Sequence, residues 1–315
     1  MNNIRVIKEI YARLKERGYQ GRIVSARHIG ELQTDIKRLH QKDLFDLEFY
    51  QRYHSYFEFE PSEILQDINS LIVVAVPQPQ TRVNLHWNGK MVSLLIPPHY
   101  LFGNETDKGV EDILAGILSP IGYKVARAKL PSKLLAVRSG LAKYGKNNIS
   151  YVPGMGSFLR LVAFYSNLPC EEDNWQEPQM LERCKKCSAC LVKCPTNAIT
   201  SERFLLRGEL CITYLNERAG HIPFPSWLDP SWHNCLVGCL YCQKVCPENK
   251  DFLNWVDQGA EFSEEETAVL LEGMPLDQFP ASLLQKLGKY GLTDYADIMP
   301  RNLGVFLKTG DQSRL

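Results

Sequence analysis

The sequence predicts an α+β protein in three stretches: an α/β domain over residues 1–175, a cysteine-rich domain over 176–252 and a small helical tail over 253–315. Three observations support this division. Leu71-Ile-Val-Val-Ala-Val76 is an unbroken apolar run ending at Pro77, as in a strand buried on both faces, and helical patterns flank it in sequence. Cysteines gather in two spaced runs, Cys184 to Cys194 and Cys235 to Cys246. Beyond them, Ser263-Glu-Glu-Glu266 is a capping box that opens a helix through Leu271.

Composition sets the frame. A chain of 315 residues has a prior of about two domains, and an apolar fraction of 44% is enough for a core. Formal net charge is zero, with 36 basic and 36 acidic residues, which gives no global pull toward nucleic acid or membrane. The run Leu71–Pro77 is far short of the ~20 apolar residues of a membrane helix. No charged-apolar-small pattern opens the chain, so the cysteines are expected in a reducing compartment, most simply the cytoplasm.

Taken in order, residues 4–17 set Ile4, Ile7, Ile10, Tyr11 and Leu14 on one face of a helix that Gly18 stops. Ile23–Ala26 reads as a strand. Phe45, Phe49, Tyr50, Tyr53, Tyr56, Phe57 and Phe59 read as helix residues packing on a core. Met91–Ile96 is a second strand, stopped by Pro97-Pro98, and Ser157–Tyr165 a third. Helices are expected at Gly109–Leu118 and at Ser132–Tyr144, the latter closed by Gly145. Residues 172–180 read as a polar linker, and Ala281–Lys289 and Leu303–Leu307 as tail helices. One charge feature interrupts this pattern. Between Asp112 and Glu171 there is no acidic residue, while Lys124, Arg127, Lys129, Lys133, Arg138, Lys143, Lys146 and Arg160 supply eight cations. That window is either a solvated basic face or an anion-binding wall.

The cysteine runs carry the chemistry. Cys184-Lys-Lys-Cys187-Ser-Ala-Cys190-Leu-Val-Lys-Cys194-Pro195 has the bacterial ferredoxin spacing, in which the fourth cysteine of each run ligates the other cluster. One [4Fe–4S] cluster is therefore expected on Cys184, Cys187, Cys190 and Cys246. A second takes Cys194, Cys239, Cys242 and one more thiolate. Spacing alone leaves that eighth ligand open between Cys235, one residue out of register, and Cys211, between the runs. Structural zinc uses Cys-x2-Cys pairs but does not need three evenly stepped cysteines plus Cys-Pro, twice. Cys170 is isolated and reads as a packed or surface thiol. Paired clusters move single electrons and seldom break bonds themselves, so the α/β domain is expected to hold a second redox site. No dinucleotide fingerprint marks it. Gly154-Met-Gly156 is only a first fragment, and no phosphate-cradling Gly-Lys-Ser/Thr loop is present.

Several stretches resemble the epoxyqueuosine reductases, cobalamin-dependent iron–sulfur enzymes related to the reductive dehalogenases. They are Ser70–Pro77, Arg138-Ser-Gly-Leu-Ala-Lys-Tyr-Gly-Lys-Asn147 with Gly156-Ser157, Cys184–Pro195, and Cys211-Ile-Thr-Tyr214 with Cys239-Leu-Tyr-Cys242-Gln-Lys-Val-Cys246-Pro247. Together they span residues 65 to 250. The resemblance implies a nitroreductase-like α/β domain holding base-off cobalamin, a two-cluster ferredoxin-like domain and a helical tail. It favours Cys211 over Cys235 as the eighth ligand, and implies that Arg138, Gly140, Lys146, Asn147, Ser157 and Thr213 contact the cofactors. An external donor such as a ferredoxin or flavodoxin would supply the electrons. Two departures stand out. The family's catalytic aspartate falls, counted without gaps, on Ala126, and the family's glycine and tryptophan between Leu141 and Gly145 are replaced by Ala142 and Lys143. A methyl group cannot act as a general acid, so Lys129, Tyr123 and Tyr144 become the candidate proton donors. The expected activity is cobalamin-dependent reduction of a small-molecule or protein substrate. A bare electron carrier and a tRNA-directed epoxyqueuosine reductase with a different acid are the alternatives, and zero net charge weighs against tRNA.

Overall fold

A computed structural model describes residues 3–60, 65 and 67–307. The helices are α1 (Asn3–Glu16), α2 (Ile29–Gln41), α3 (Leu47–His54), α4 (Gly103–Leu118), α5 (Ser132–Arg138), α6 (Ala189–Lys193), α7 (Ile212–Glu217), α8 (Tyr241–Lys244), α9 (Glu264–Glu272), α10 (Ala281–Lys289) and α11 (Met299–Leu307). The strands are β1 (Gln20–Ser25), β2 (Ser70–Pro77), β3 (Gln80–Trp87), β4 (Lys90–Ile96), β5 (Val125–Arg127), β6 (Lys143–Tyr144), β7 (Ser150–Tyr151), β8 (Leu159–Ser166) and β9 (Val256–Phe262). They form two compact units. The first holds the described residues of Met1–Gln78, Asn104–Ser188 and Ile199–Arg207, the second those of Pro79–Gly103, Ala189–Ala198 and Gly208–Leu315. The units therefore interleave along the chain, where three consecutive stretches, 1–175, 176–252 and 253–315, are expected from sequence.

The first unit is built on a four-stranded sheet in the order β1-β2-β8-β5, antiparallel throughout. Its centre explains the apolar run. Ile72, Val74 and Val76 of β2 meet Val6, Ile10 and Leu14 of α1 and Val110, Leu114 and Leu118 of α4 in one core. Leu71, Val73 and Ala75 point the other way, into a core with Leu134, Leu135 and Val137 of α5. A strand between two cores has no polar face to show, so its sequence does not alternate. Burying each such side chain contributes about 1.5–3 kcal/mol.

Sequence and structure diverge in four places here. The helix expected over 132–144 stops at Arg138, because Gly140 turns left-handed at φ +73° and the chain folds back as the β6–β7 hairpin. Gly145 is required in that hairpin: a Cβ would lie 2.5 Å from Asn147 Oδ1 and 2.6 Å from the Tyr151 ring. The expected linker is tied down, with Asp173 accepting from Arg27 Nη2 at 2.8 Å and the Trp175 indole donating to Glu31 at 2.9 Å. His28 stacks on Trp175 at 4.3 Å with its two ring nitrogens facing Glu31 and Asp173. Within the aromatic stretch Phe45 stacks on Phe49, Tyr50 stacks on His40 of α2, and Phe59 packs against the core. Tyr56 is exposed, and the side chain of Tyr53 lies outside the described residues. Lastly, the acid-free window is compensated from elsewhere: Asp35 pairs with Arg138, Glu58 with Lys129, and Asp107 with both Arg127 and Arg160.

In the second unit β3 pairs with β4 across Asn88-Gly89, both left-handed, and with β9 in parallel. The tail thus opens with a strand before its helices. Val83, Leu85, Leu94, Ile96 and Phe262 form a core with Leu270, Leu283 and Leu303 of α9, α10 and α11. The capping box is made: Ser263 Oγ accepts from Glu266 N at 3.2 Å and Glu266 Oε2 from Ser263 N at 2.9 Å.

Candidate functional site

All ten cysteines are unpaired by disulfides. In the second unit α6 sets Cys190 and Cys194 a turn apart, with Cys194 N donating to Cys190 O at 3.2 Å. Cys211 is the N-cap of α7, in extended conformation. Burial pushes its thiol up, while the backbone N–H groups of Tyr214 and Thr213 and the Thr213 side chain pull it down. Thr213 therefore sits at the Cys211 sulfur, where the resemblance implies a cofactor contact. Asn216, fully buried on the same helix, donates to Gly238 O at 2.7 Å and so ties α7 to the second cysteine run. Gly238 itself is left-handed, and a Cβ there would meet Tyr100 Oη at 2.7 Å. Asn249 donates to Gln243 O at 2.9 Å and fixes the chain past Cys246-Pro247.

The thiols of Cys194, Cys211, Cys235 and Cys239 are linked by mutual repulsion. The Cys239 thiol is pushed up to about 12, first by burial and then by Cys211 and Cys194. Cys194 likewise raises Cys211. Cys235 is fully buried; its thiol donates to Asn234 Oδ1 at 3.0 Å and is pushed up first by burial and then by Cys239. Among the described residues no three Cys, His, Asp or Glu side chains converge closely enough to hold a single ion. Cys170 is half-buried, donates to Glu172 O, and is pushed up to about 11 by burial.

The first unit carries Cys184 and Cys187. Lys146 Nζ donates to Cys187 O at 2.9 Å, which ties the β6–β7 hairpin to the first cysteine run. The other residues implied to contact cobalamin are engaged internally. Arg138 is buried, with Nε and Nη2 on Asp35 Oδ2 at 2.9 and 2.5 Å and Nη1 on Glu177 at 3.0 Å. Asn147 Nδ2 donates to Tyr151 Oη at 2.8 Å, Ser157 is buried, and Gly140 packs near the Gln176 amide.

A separate cavity of about 750 Å³ opens in this unit. Glu58, Asp107, Arg127, Lys129 and Arg160 line it together with Tyr56 and Asn104. Asp107 is buried and receives Arg160 Nε and Nη2 at 2.5 and 2.8 Å, as well as Arg127. Burial, then the neighbouring Arg160, lowers the Arg127 pKa. Glu58 is anchored at both backbone ends, its N donating to Lys129 O at 2.9 Å and its O accepting from Tyr165 Oη at 2.7 Å. Its carboxylate takes Lys129 Nζ at 2.6 Å.

Of the candidate proton donors, only Lys129 reaches this cavity. Tyr123 donates to Asn3 Oδ1 at 2.9 Å, and Tyr144 is buried against Phe204, its pKa raised by burial. Ala126 lies in β5 opposite Tyr165. Glu58 and Asp107 escaped the sequence reading because they lie outside the acid-free window and reach it only through the fold.

Residues 183–249 match the family model of a 4Fe–4S double cluster binding domain. Epoxyqueuosine reductase of Pseudomonas aeruginosa is 28% identical over 294 residues, covering 83% of this chain and 78% of the relative. Those of Staphylococcus aureus and Vibrio cholerae are 31% and 33% identical, and the aligned stretches span 30% and 40% of their length. A solved epoxyqueuosine reductase from Bacillus subtilis, described with its catalytic aspartate loop swung out of the active site, superposes with a TM-score of 0.67 at 20% identity, covering 96% of this chain and 81% of that one. A solved complex of such an enzyme with a tRNA stem loop gives the same TM-score at 21% identity, covering 96% and 81%. In sequence and in fold the chain is similar to the epoxyqueuosine reductases, oxidoreductases with a 4Fe–4S double cluster binding domain.

Proposed function

We propose that this protein is a reductase in which electrons from an external ferredoxin- or flavodoxin-type donor travel by two [4Fe–4S] clusters to a cobalamin held by the first unit, and from there to a substrate. The observation that carries the reading is the gathering of Cys194, Cys211 and Cys239 in one unit, inside a stretch that matches a double cluster domain. Cys242 completes that set, and Cys184, Cys187, Cys190 and Cys246 hold the other cluster. The thiol set fits this chemistry, since thiolates are the ligands such clusters take.

Cobalamin rests on the resemblance and on the likeness to the epoxyqueuosine reductases. The cavity of about 750 Å³, with donors from Asn104, Arg127, Lys129 and Ser132, has the size of a small-substrate pocket, and none of the residues implied to contact the corrinoid lines it. When bound, the corrinoid supplies a strongly reducing, nucleophilic metal. The Glu58–Lys129 pair supplies the carboxylate and ammonium that the position of Ala126 lacks. Arg138 acts as a structural clamp in this reading, not as a cofactor ligand.

Protein purified without oxygen and reconstituted with iron and sulfide is expected to bind two clusters and to take up added cobalamin, giving a base-off Co(II) resonance. Intact clusters without cobalamin uptake would leave an electron carrier instead. The tRNA substrate is a second reading, favoured by the 28% identical relative and by the solved stem-loop complex. Reduction of an epoxide to an alkene takes two electrons and two protons and releases water, which the cluster path and the Glu58–Lys129 pair could together deliver. Unchanged queuosine in tRNA from a deletion strain would remove it.

A further inference from the structure

Given the cluster reading above, we propose that Asn234, oriented by Cys235, is a positioning residue that raises the reduction potential of the cluster on Cys194, Cys211, Cys239 and Cys242. Asn234 Nδ2 donates to Cys239 Sγ at 3.2 Å. Its Oδ1 accepts two hydrogen bonds, from the backbone N–H of Leu240 at 3.0 Å and from the Cys235 thiol at 3.0 Å.

The direction of this amide is fixed by chemistry. A backbone N–H can only donate, so the end of the side chain that faces Leu240 must be the oxygen. Turned over, the NH₂ group would confront that N–H, and the Cys239 sulfur would face an acceptor. The Cys235 thiol reinforces the choice from a second side. Cys235 is fully buried and small enough to fit there, which gives the cysteine left over from the ligand sets a role of its own.

A donor aimed at a cluster thiolate stabilises the more negative, reduced form over the oxidised one, and hydrogen bonds to the sulfurs are among the factors that set these potentials. Thiols in this pocket are buried, which acts in the opposite sense by penalising charge. Asn234 offsets part of that penalty at one sulfur.

Potentiometric titration of the reconstituted full chain, followed by electron paramagnetic resonance, tests this with two variants. Asn234→Asp keeps the oxygen that serves Leu240 and Cys235 and replaces the donor. Cys235→Ala removes one of the two groups that orient the amide. The expected result for N234D is a shift of one cluster to more negative potential, with the other unchanged and both present. C235A is expected to shift the same cluster in the same direction by less. Unchanged midpoints in N234D with both clusters intact would overturn the proposal. Loss of a cluster in C235A would do so too, by making Cys235 a ligand. Should N234D not assemble, the wild-type protein carries the test: with ¹⁵N in its asparagine side chains, pulsed resonance of the reduced cluster should detect a coupled nitrogen, and none would overturn the idea. Wild-type protein that binds no iron–sulfur cluster under any condition would instead refute the cluster reading itself.

Discussion

Replacing Asp35 by Leu should destabilise the first unit by about 3–5 kcal/mol, the cost of leaving a buried charge without its partner. Arg138 and Asp35 keep only 5% and 8% of their side-chain surface in water, and two guanidinium nitrogens share one carboxylate oxygen. Glu177 offers little relief, because it is 84% exposed and its bond to Arg138 is screened by solvent. The reverse change, Arg138→Met, should cost less, since Arg38 still pairs with Asp35 at 2.6 Å. The double variant should recover part of the loss, with a coupling of roughly 1–3 kcal/mol. For a unit of this size, a loss of that order lowers the melting temperature by roughly 10 °C. Thermal unfolding followed by tryptophan fluorescence reads it, because Trp175 lies 5.6 Å from the Arg138 guanidinium. Single losses under about 1 kcal/mol that simply add in the double variant would refute the clamp and return Arg138 to the pool of free ligands.

Other substitutions probe other parts. Cys211→Ala should leave about half the iron of the wild-type protein, whereas Cys235→Ala should retain it all; the opposite pattern would exchange their roles. Glu58→Gln should slow substrate reduction more than ten-fold while cluster spectra stay unchanged, and a wild-type rate would exclude it from proton handling. Ser263→Ala, which removes the cap of α9, should cost about 1 kcal/mol in chemical denaturation. The Glu31 carboxyl is held below its usual value, chiefly by its hydrogen bond to His28. A lowered folded-state value means that this stabilisation is present above the unfolded-state pKa and is lost as pH falls through the folded one. His28→Leu should move the Glu31 titration upward in carbon-detected magnetic resonance, and no movement would contradict the assignment.

Local signals carried the first unit's sheet well and the connections badly. The strand at Leu71–Val76 was legible because burial on two faces erases alternation, and the capping box at Ser263 because its spacing is a local rule. The hairpin of β3 and β4 was equally legible in principle: Val83 and Leu85 alternate with polar residues, and Asn88-Gly89 marks the turn. It goes unread unless the chain between Pro77 and Met91 is scanned with a period of two. Other features are not local at all. The helix from Ser132 ends at Arg138, before the left-handed Gly140, and Arg138 is held by Asp35, some hundred residues upstream in sequence. Arg127, Lys129, Arg138 and Arg160, four of the eight cations, have partners outside their window in Asp35, Glu58, Asp107 and Glu177. For the cysteines, spacing predicts seven ligands and leaves Cys211 and Cys235 open, because which thiol lies near Cys194 and which beside an amide is set only by the fold.

The parallel pairing of β3 with β9 bears on how this chain is made. Gln80 lies opposite Val256, and every residue between Leu101 and Asn254, both cysteine runs included, is threaded between those partners. During synthesis the β3–β4 hairpin keeps one edge unpaired until the chain through Phe262 has emerged. A chain truncated ahead of Val256 should therefore present an open strand edge to any neighbour of its own kind.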